Sequence, residues 1–202
     1  MLLDDELERR SQSRLARHLA QSGCDSQKTL AHFDYAAAPG VNRILIQDLS
    51  TCTYITRHEN ILLCGPTGVG KSHLANGLGI EALKREFRVL SDSVHHLLKN
   101  LHVTRASGGH TRWWNKILKA DLLILDELGY VPASKLGSEL LFDVISAAYE
   151  RTSVIVTTNL PFADWGKVFD STTVASAIAD RLVYNSQILI MEGHSYRTRM
   201  NK

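Results

Sequence analysis

One run of the chain restricts what the rest can fold into: Gly65-Pro66-Thr67-Gly68-Val69-Gly70-Lys71-Ser72. Glycine loses the most backbone freedom on ordering. Three of them in so short a run mark a place where the backbone itself must be bare. The order fits G-x-x-x-x-G-K-[ST] at every position. Such glycines let backbone N–H groups curl around an anion. Lys71 would then reach the β- and γ-phosphates as a point charge, and Ser72 would offer a hydroxyl to Mg²⁺. A glycine-rich turn alone would also join a strand to a helix. The flanks meet the stricter test: NILLC before the run is apolar and strand-like, and SHLANGLGIEALKRE after it has helical spacing at Leu74, Leu78, Ala82 and Leu83. The expected nucleotide contacts are Gly65, Pro66, Thr67, Gly68, Val69, Gly70, Lys71, Ser72 and His73.

The remaining composition is permissive. At 202 residues and 44% hydrophobic content the chain suits one globular domain with a small appendage. A formal charge of +2 neither announces a nucleic-acid binder nor excludes a local basic patch. The three cysteines, Cys24, Cys52 and Cys64, are odd in number and unpatterned, as expected in a reducing compartment. The N-terminus has no apolar core of a signal peptide, and no run approaches a membrane span. A cytoplasmic location and no membrane partner are therefore expected. Nine histidines include the adjacent His95 and His96, but no metal-ligand spacing appears.

Along the chain, residues 4–22 predict a charged helix, 23–40 a linker and 41–58 a further helix. From Asn60 the pattern turns to strand–helix alternation, with strands expected at 61–64, 87–90, 121–125, 153–158 and 187–191. That alternation implies an α/β fold with a parallel five-stranded sheet between helices. Runs such as LLIL and VIV suit strands buried on both faces. Ligands of such sheets sit at the carboxyl ends of the strands, where the glycine-rich run lies.

Two further strand ends carry polar groups. ADLLILDELGY delivers Asp126 and Glu127 to the end of an apolar run, where two carboxylates are costly unless a cation or hydrogen bonds meet them. Asp126 is placed to hold Mg²⁺ with Ser72. Glu127 is placed to act as base or positioner for a water attacking the γ-phosphate. An acidic helix cap is the plainer alternative. TSVIVTTNLP ends in Asn159, whose amide can hold a water or a phosphate oxygen, or can simply serve the turn before Pro161.

The stretches GPTGVGKSHLANGLG, DLLILDELGYVP, LLFDVISAAYERTSVIVTTNLPFADW and IADRLVYNSQILIMEGHSYR together resemble the IstB family, a branch of the AAA+ P-loop ATPases related to DnaC-type helicase loaders. The resemblance spans about residues 28–199. It implies ATP and Mg²⁺ as cofactors and a DNA-stimulated ATPase. It also implies homo-oligomeric assembly on duplex DNA and delivery of that DNA to the transposase of the same element. A replicative helicase loader is the alternative with the same ATP chemistry. Against the family pattern the N-terminal helical domain is expected to be truncated, with residues 1–40 as its remnant and linker and 41–202 as the AAA+ domain. The C-terminal helical lid is expected to be missing.

The family's DRL motif selects Arg181 as an arginine finger acting on a neighbouring subunit; Arg151 is expected to be a surface residue. For DNA the candidates are Lys99, Arg105, Arg112, Lys116 and Lys119, with His102 and His110 nearby and Gly108-Gly109 as a flexible pair. Arg197, Arg199 and Lys202 form a second basic group. Trp113 and Trp114 could stack on bases, although such a pair more often packs one ring inward.

Overall fold

Strands that are apolar at successive positions must be covered on both faces, and the chain supplies helices to do so. The computed structural model describes residues 2–107, 110–131, 133–193 and 195–196. Its helices are α1 (Leu2–Ser22), α2 (Arg43–Leu49), α3 (Thr53–Thr56), α4 (Lys71–Lys84), α5 (Val94–Ser107), α6 (His110–Lys119), α7 (Lys135–Ala148) and α8 (Thr172–Val183). The strands are β1 (Asn60–Cys64), β2 (Val89–Ser93), β3 (Leu122–Leu128), β4 (Ser153–Thr158) and β5 (Ser186–Ile190). They form one five-stranded sheet in the order β2-β3-β4-β1-β5, and every pairing is parallel.

Alternation along each strand sorts the core into two layers. Ile61, Leu63, Leu122, Ile124 and Ile155 face α2, α3 and α4. Leu62, Leu123, Leu125, Val154 and Val156 face α5, α6, α7 and α8. Each fully buried leucine or isoleucine contributes about 1.5–3 kcal/mol by leaving water, so the central strands hold both layers together.

Three local outcomes differ from the sequence expectation. The helix expected over 41–58 is broken into α2 and α3. The hydroxyls of Ser50 and Thr51 donate back to the carbonyls of Gln47 and Asp48, each at 2.7 Å, and Cys52 turns left-handed at φ 65°. Hydroxyl side chains that bond their own backbone compete with helix continuation. Next, β3 runs to Leu128 because a bulge between Leu125 and Leu128 carries pairing past the two carboxylates. Finally, residues 23–40 lie against α4. The Asn76 amide accepts from the Asp25 N–H (2.8 Å) and donates to the carbonyls of Asp25 (2.8 Å) and Lys28 (3.0 Å), while Phe33, Ala37 and Ala38 are buried.

Candidate nucleotide site

The glycine-rich run joins the carboxyl end of β1 to α4, at the end of the sheet where parallel-sheet ligands bind. Two of its glycines are required by geometry. Gly65 sits at φ 153°, and a Cβ there would lie 2.0 Å from the Met191 carbonyl oxygen. Gly70 opens α4 at φ 97°, where a Cβ would meet the Phe33 ring at 2.7 Å. Lys71, only 4% exposed, donates from Nζ to the carbonyls of Gly65 and Pro66, both at 2.7 Å. An ammonium is thereby held inside the curl of the loop. The Cys64 thiol just before the loop is pushed up by burial, with the Lys71 cation pulling the other way.

The strand-end carboxylate meets the loop directly. Ser72 Oγ donates to Asp126 Oδ1 at 2.8 Å. Thr157, at the end of the neighbouring β4, donates its hydroxyl to the same oxygen. Thr157 Oγ1 also accepts the Glu127 N–H at 2.9 Å. These are all oxygen donors, a set that suits a hard cation such as Mg²⁺ rather than a soft one. Glu127 itself is held left-handed at φ 62°, a conformation costing a non-glycine residue of order 1–3 kcal/mol. Strain of that kind concentrates where side-chain aim matters.

Glu127, Lys71, Ser72, His73 and residues 67–70 of the loop line one cavity of about 350 Å³, within the range of small-molecule sites. Its opposite wall comes from the N-terminal segment, with His32, Phe33, Asp34, Ala37 and Ala38. The Phe33 ring stands edge-on to Tyr35 and to His73, at 4.9 and 5.5 Å between centroids. His73 Nε2 lies 2.8 Å from the Thr29 carbonyl, so it carries the proton and donates. His73 thus pins the wall to α4 as well as lining the cavity.

The description "IstB-like ATP binding protein" belongs to a family model that matches residues 1–202. The chain belongs to this family. A protein of Pseudomonas aeruginosa named as an ATP-binding protein of insertion sequence IS21 is 37% identical over 199 residues, covering 98% of this chain and 75% of that one. Among solved structures, the DnaC helicase loader superposes with a TM-score of 0.63 at 21% identity, covering 74% of this chain and 87% of that one. The replication initiator DnaA bound to AMPPCP and single-stranded DNA gives 0.69 at 20% identity, covering 86% and 52%. The fold is that of AAA+ P-loop proteins, and this IstB-like chain is an ATP-binding protein.

The sequence reading assigned Thr157 no role. Its signal was present: a hydroxyl closing a strand next to the one that delivers Asp126. Asn159 follows β4 directly at the same edge and is exposed, outside the lining of the cavity. Arg181 lies far from the loop of its own IstB-like chain. It is in the last turn of α8, with Nη1 donating to the Ala177 carbonyl at 2.9 Å and its guanidinium 4.8 Å above the Phe142 ring. Asn60, the first residue of β1, donates to the carbonyls of Arg181 and Leu182 at 3.4 and 3.1 Å. Arg181 is thus at the amino edge of the sheet, a strand length of about 16 Å from the carboxyl edge. Arg151, exposed before β4, is at the same amino edge.

The DNA candidates Lys99 and Arg105 lie on α5 and Arg112, Lys116 and Lys119 on α6, all exposed. Trp113 and Trp114 are half-buried and pack against the α5–α8 layer, with Lys116 Nζ 5.0 Å above the Trp113 ring. Gly108, Gly109, Arg197, Arg199, Lys202 and the side chain of His110 lie outside what is described. Among the described residues no helix is long and apolar enough to cross a membrane.

Proposed function

We propose that this IstB-like chain hydrolyses ATP while assembled on duplex DNA and hands that DNA to the transposase of its insertion sequence. The observation that carries the ATPase part is the convergence of Lys71, Ser72 and Glu127 at one cavity, with Asp126 joined to it through its hydrogen bond from Ser72. In this reading Lys71 and the amides of residues 65–72 hold the phosphates. Mg²⁺, held by Ser72 and Asp126, would neutralise charge on the β- and γ-oxygens. Glu127 accepts the proton of the attacking water, and Asn159 orients that water or the γ-phosphate. Residues 41–202 form the ATPase domain. Residues 1–40 form a helical N-terminal segment whose Phe33 closes the far wall of the cavity.

Arg181 acts in trans, reaching the γ-phosphate bound by an adjacent subunit, which makes the active species a homo-oligomer. Lys99, Arg105, Arg112, Lys116 and Lys119 meet DNA phosphates, and DNA binding stimulates turnover. The IS21 association of the Pseudomonas aeruginosa relative supports the transposase partner.

The test pairs a nucleotide-binding titration with a turnover assay, with and without duplex DNA. Lys71→Ala should lose nucleotide binding. Glu127→Gln should bind nucleotide within a few-fold of the parent and lose turnover by about 10²–10⁴. Equal loss of binding in both variants would remove Glu127 from its role, and turnover indifferent to DNA would remove the DNA-stimulated part.

A further inference from the structure

Helix α1 presents two opposed faces. Leu15 and Leu19 pack against the α4 side of the sheet, and Ser22 is buried beside them. At 3.6 residues per turn, Arg10, Arg14 and Arg17 fall on the opposite side, with Ser13 among them. All four are exposed. From Arg9 to Ser22 the helix holds four arginines and no acid. Arg10 Nε meets Glu6 at 2.7 Å with 69% of its side chain exposed, and Arg14 meets Glu86 at 2.5 Å with 46% exposed. Ion pairs so exposed are worth about 0–1 kcal/mol, so a phosphate can replace the carboxylate at little cost. Arg17 has no carboxylate within ion-pair distance among the described residues.

The C-terminal end of α1 comes close to α6. A cavity of about 410 Å³ at the β2 edge is lined by Gln21 and Ser22 of α1 and by Trp113 and Lys116 of α6. The arginines rise along α1 in steps of about 6 and 4.5 Å, close enough for their long arms to reach successive phosphates of one strand. We propose that the outward arginine face of α1 is a second phosphate-binding surface, which extends the DNA path of α5 and α6 around the β2 edge. It rests on the DNA-binding reading above. The partner is a nucleic-acid backbone rather than an anionic membrane. From Arg9 to Gln21 the outward face holds Arg10, Ser13, Arg14, Arg17 and Gln21, and none of these described side chains is an apolar one that could insert between lipids.

The experiment is a salt series of duplex affinity, measured with a labelled random-sequence duplex, the full chain, ATP and Mg²⁺. The triple variant Arg10→Gln/Arg14→Gln/Arg17→Gln keeps helix propensity and should show an unchanged melt and ATP affinity. Its slope of log affinity against log salt should fall by about 2–3, because each lost phosphate contact removes about 0.9. The matching triple Arg→Lys variant should keep the parental slope. An unchanged slope in the triple Gln variant, while Lys116→Gln/Lys119→Gln lowers it, overturns the inference and leaves the DNA reading standing. Failure of the parent protein to bind duplex at all overturns both. Loss of binding to phosphatidylserine vesicles with an unchanged DNA slope overturns it in favour of a membrane.

Discussion

Thr157 performs two tasks with one hydroxyl: it donates to Asp126 Oδ1 and accepts the Glu127 N–H. It therefore sets the spacing between the proposed cation-binding carboxylate, Asp126, and the proposed base, Glu127. Thr157→Val keeps the shape and removes both bonds. We expect a folded protein whose ATP turnover falls about 10–100-fold, with nucleotide affinity changed much less, since a slightly misplaced group costs rate more than binding. Steady-state kinetics beside a nucleotide titration check this; parental turnover would mean that the two bonds are incidental. Glu127 shows strain from the other side. Glu127→Gly relieves the left-handed penalty of about 1–3 kcal/mol against a glycine entropy cost of roughly 0.5–1. The variant should melt no lower than the parent, and up to about 2.5 kcal/mol more stably, while losing turnover. A clear drop in thermal stability would show that the Glu127 side chain supports the fold.

At the scale of elements, two polar residues register the sheet. Buried Asn60 accepts the Val154 N–H at 3.0 Å and donates to Leu182 O at 3.1 Å, tying β1 to β4 and to the end of α8. Asn60→Ala leaves a buried N–H and a helix-end carbonyl unmet, at a cost of about 2–4 kcal/mol, measurable by denaturant unfolding. Near β3, Asp121 accepts from the Arg88 backbone N–H (2.8 Å), Nε (3.0 Å) and Nη2 (2.6 Å). The Arg88 side chain, acting first through its hydrogen bonds, holds the Asp121 carboxyl below the usual range. A depressed carboxyl stabilises the fold above its unfolded value near about 3.9, and that stability is lost as pH falls through the lower folded value. Asp121→Asn should therefore cost on the order of 1 kcal/mol at neutral pH. The parent's excess over the variant should vanish in strong acid. An excess that persists there would assign the effect to packing.

At the scale of the whole molecule, Arg181 and the phosphate loop occupy opposite edges of one sheet. The proposed in-trans role therefore predicts complementation. Arg181→Ala should bind ATP nearly as the parent does but turn it over about 10³–10⁵ more slowly. On the same proposal Lys71→Ala should have a dead pocket and an intact Arg181. Mixed with DNA present, the two should recover part of the activity that each lacks alone. Mixed assemblies that form yet stay inactive would end the cross-subunit assignment.

Much of this architecture is carried by short-range signals. The glycine run, the helix-spaced leucines after it and the apolar strands are local patterns, and they place β1, α4, β3 and β4 within a residue or a few. Asp126 and Glu127 are legible because two carboxylates closing an apolar run need a reason. Other features depend on which strands become neighbours. Thr157 reaches Asp126 only because β4 lies beside β3, and the bulge at Glu127 arises from that pairing. Phe33 and His32 wall the cavity because Asn76 and His73 on α4 capture a segment that has no periodicity of its own. The split between α2 and α3 follows hydroxyl-to-carbonyl bonds that propensity alone does not weigh. Local chemistry determines which groups the chain offers at its strand ends. Strand order and side-chain capture, which join residues distant in sequence, decide which of those groups meet.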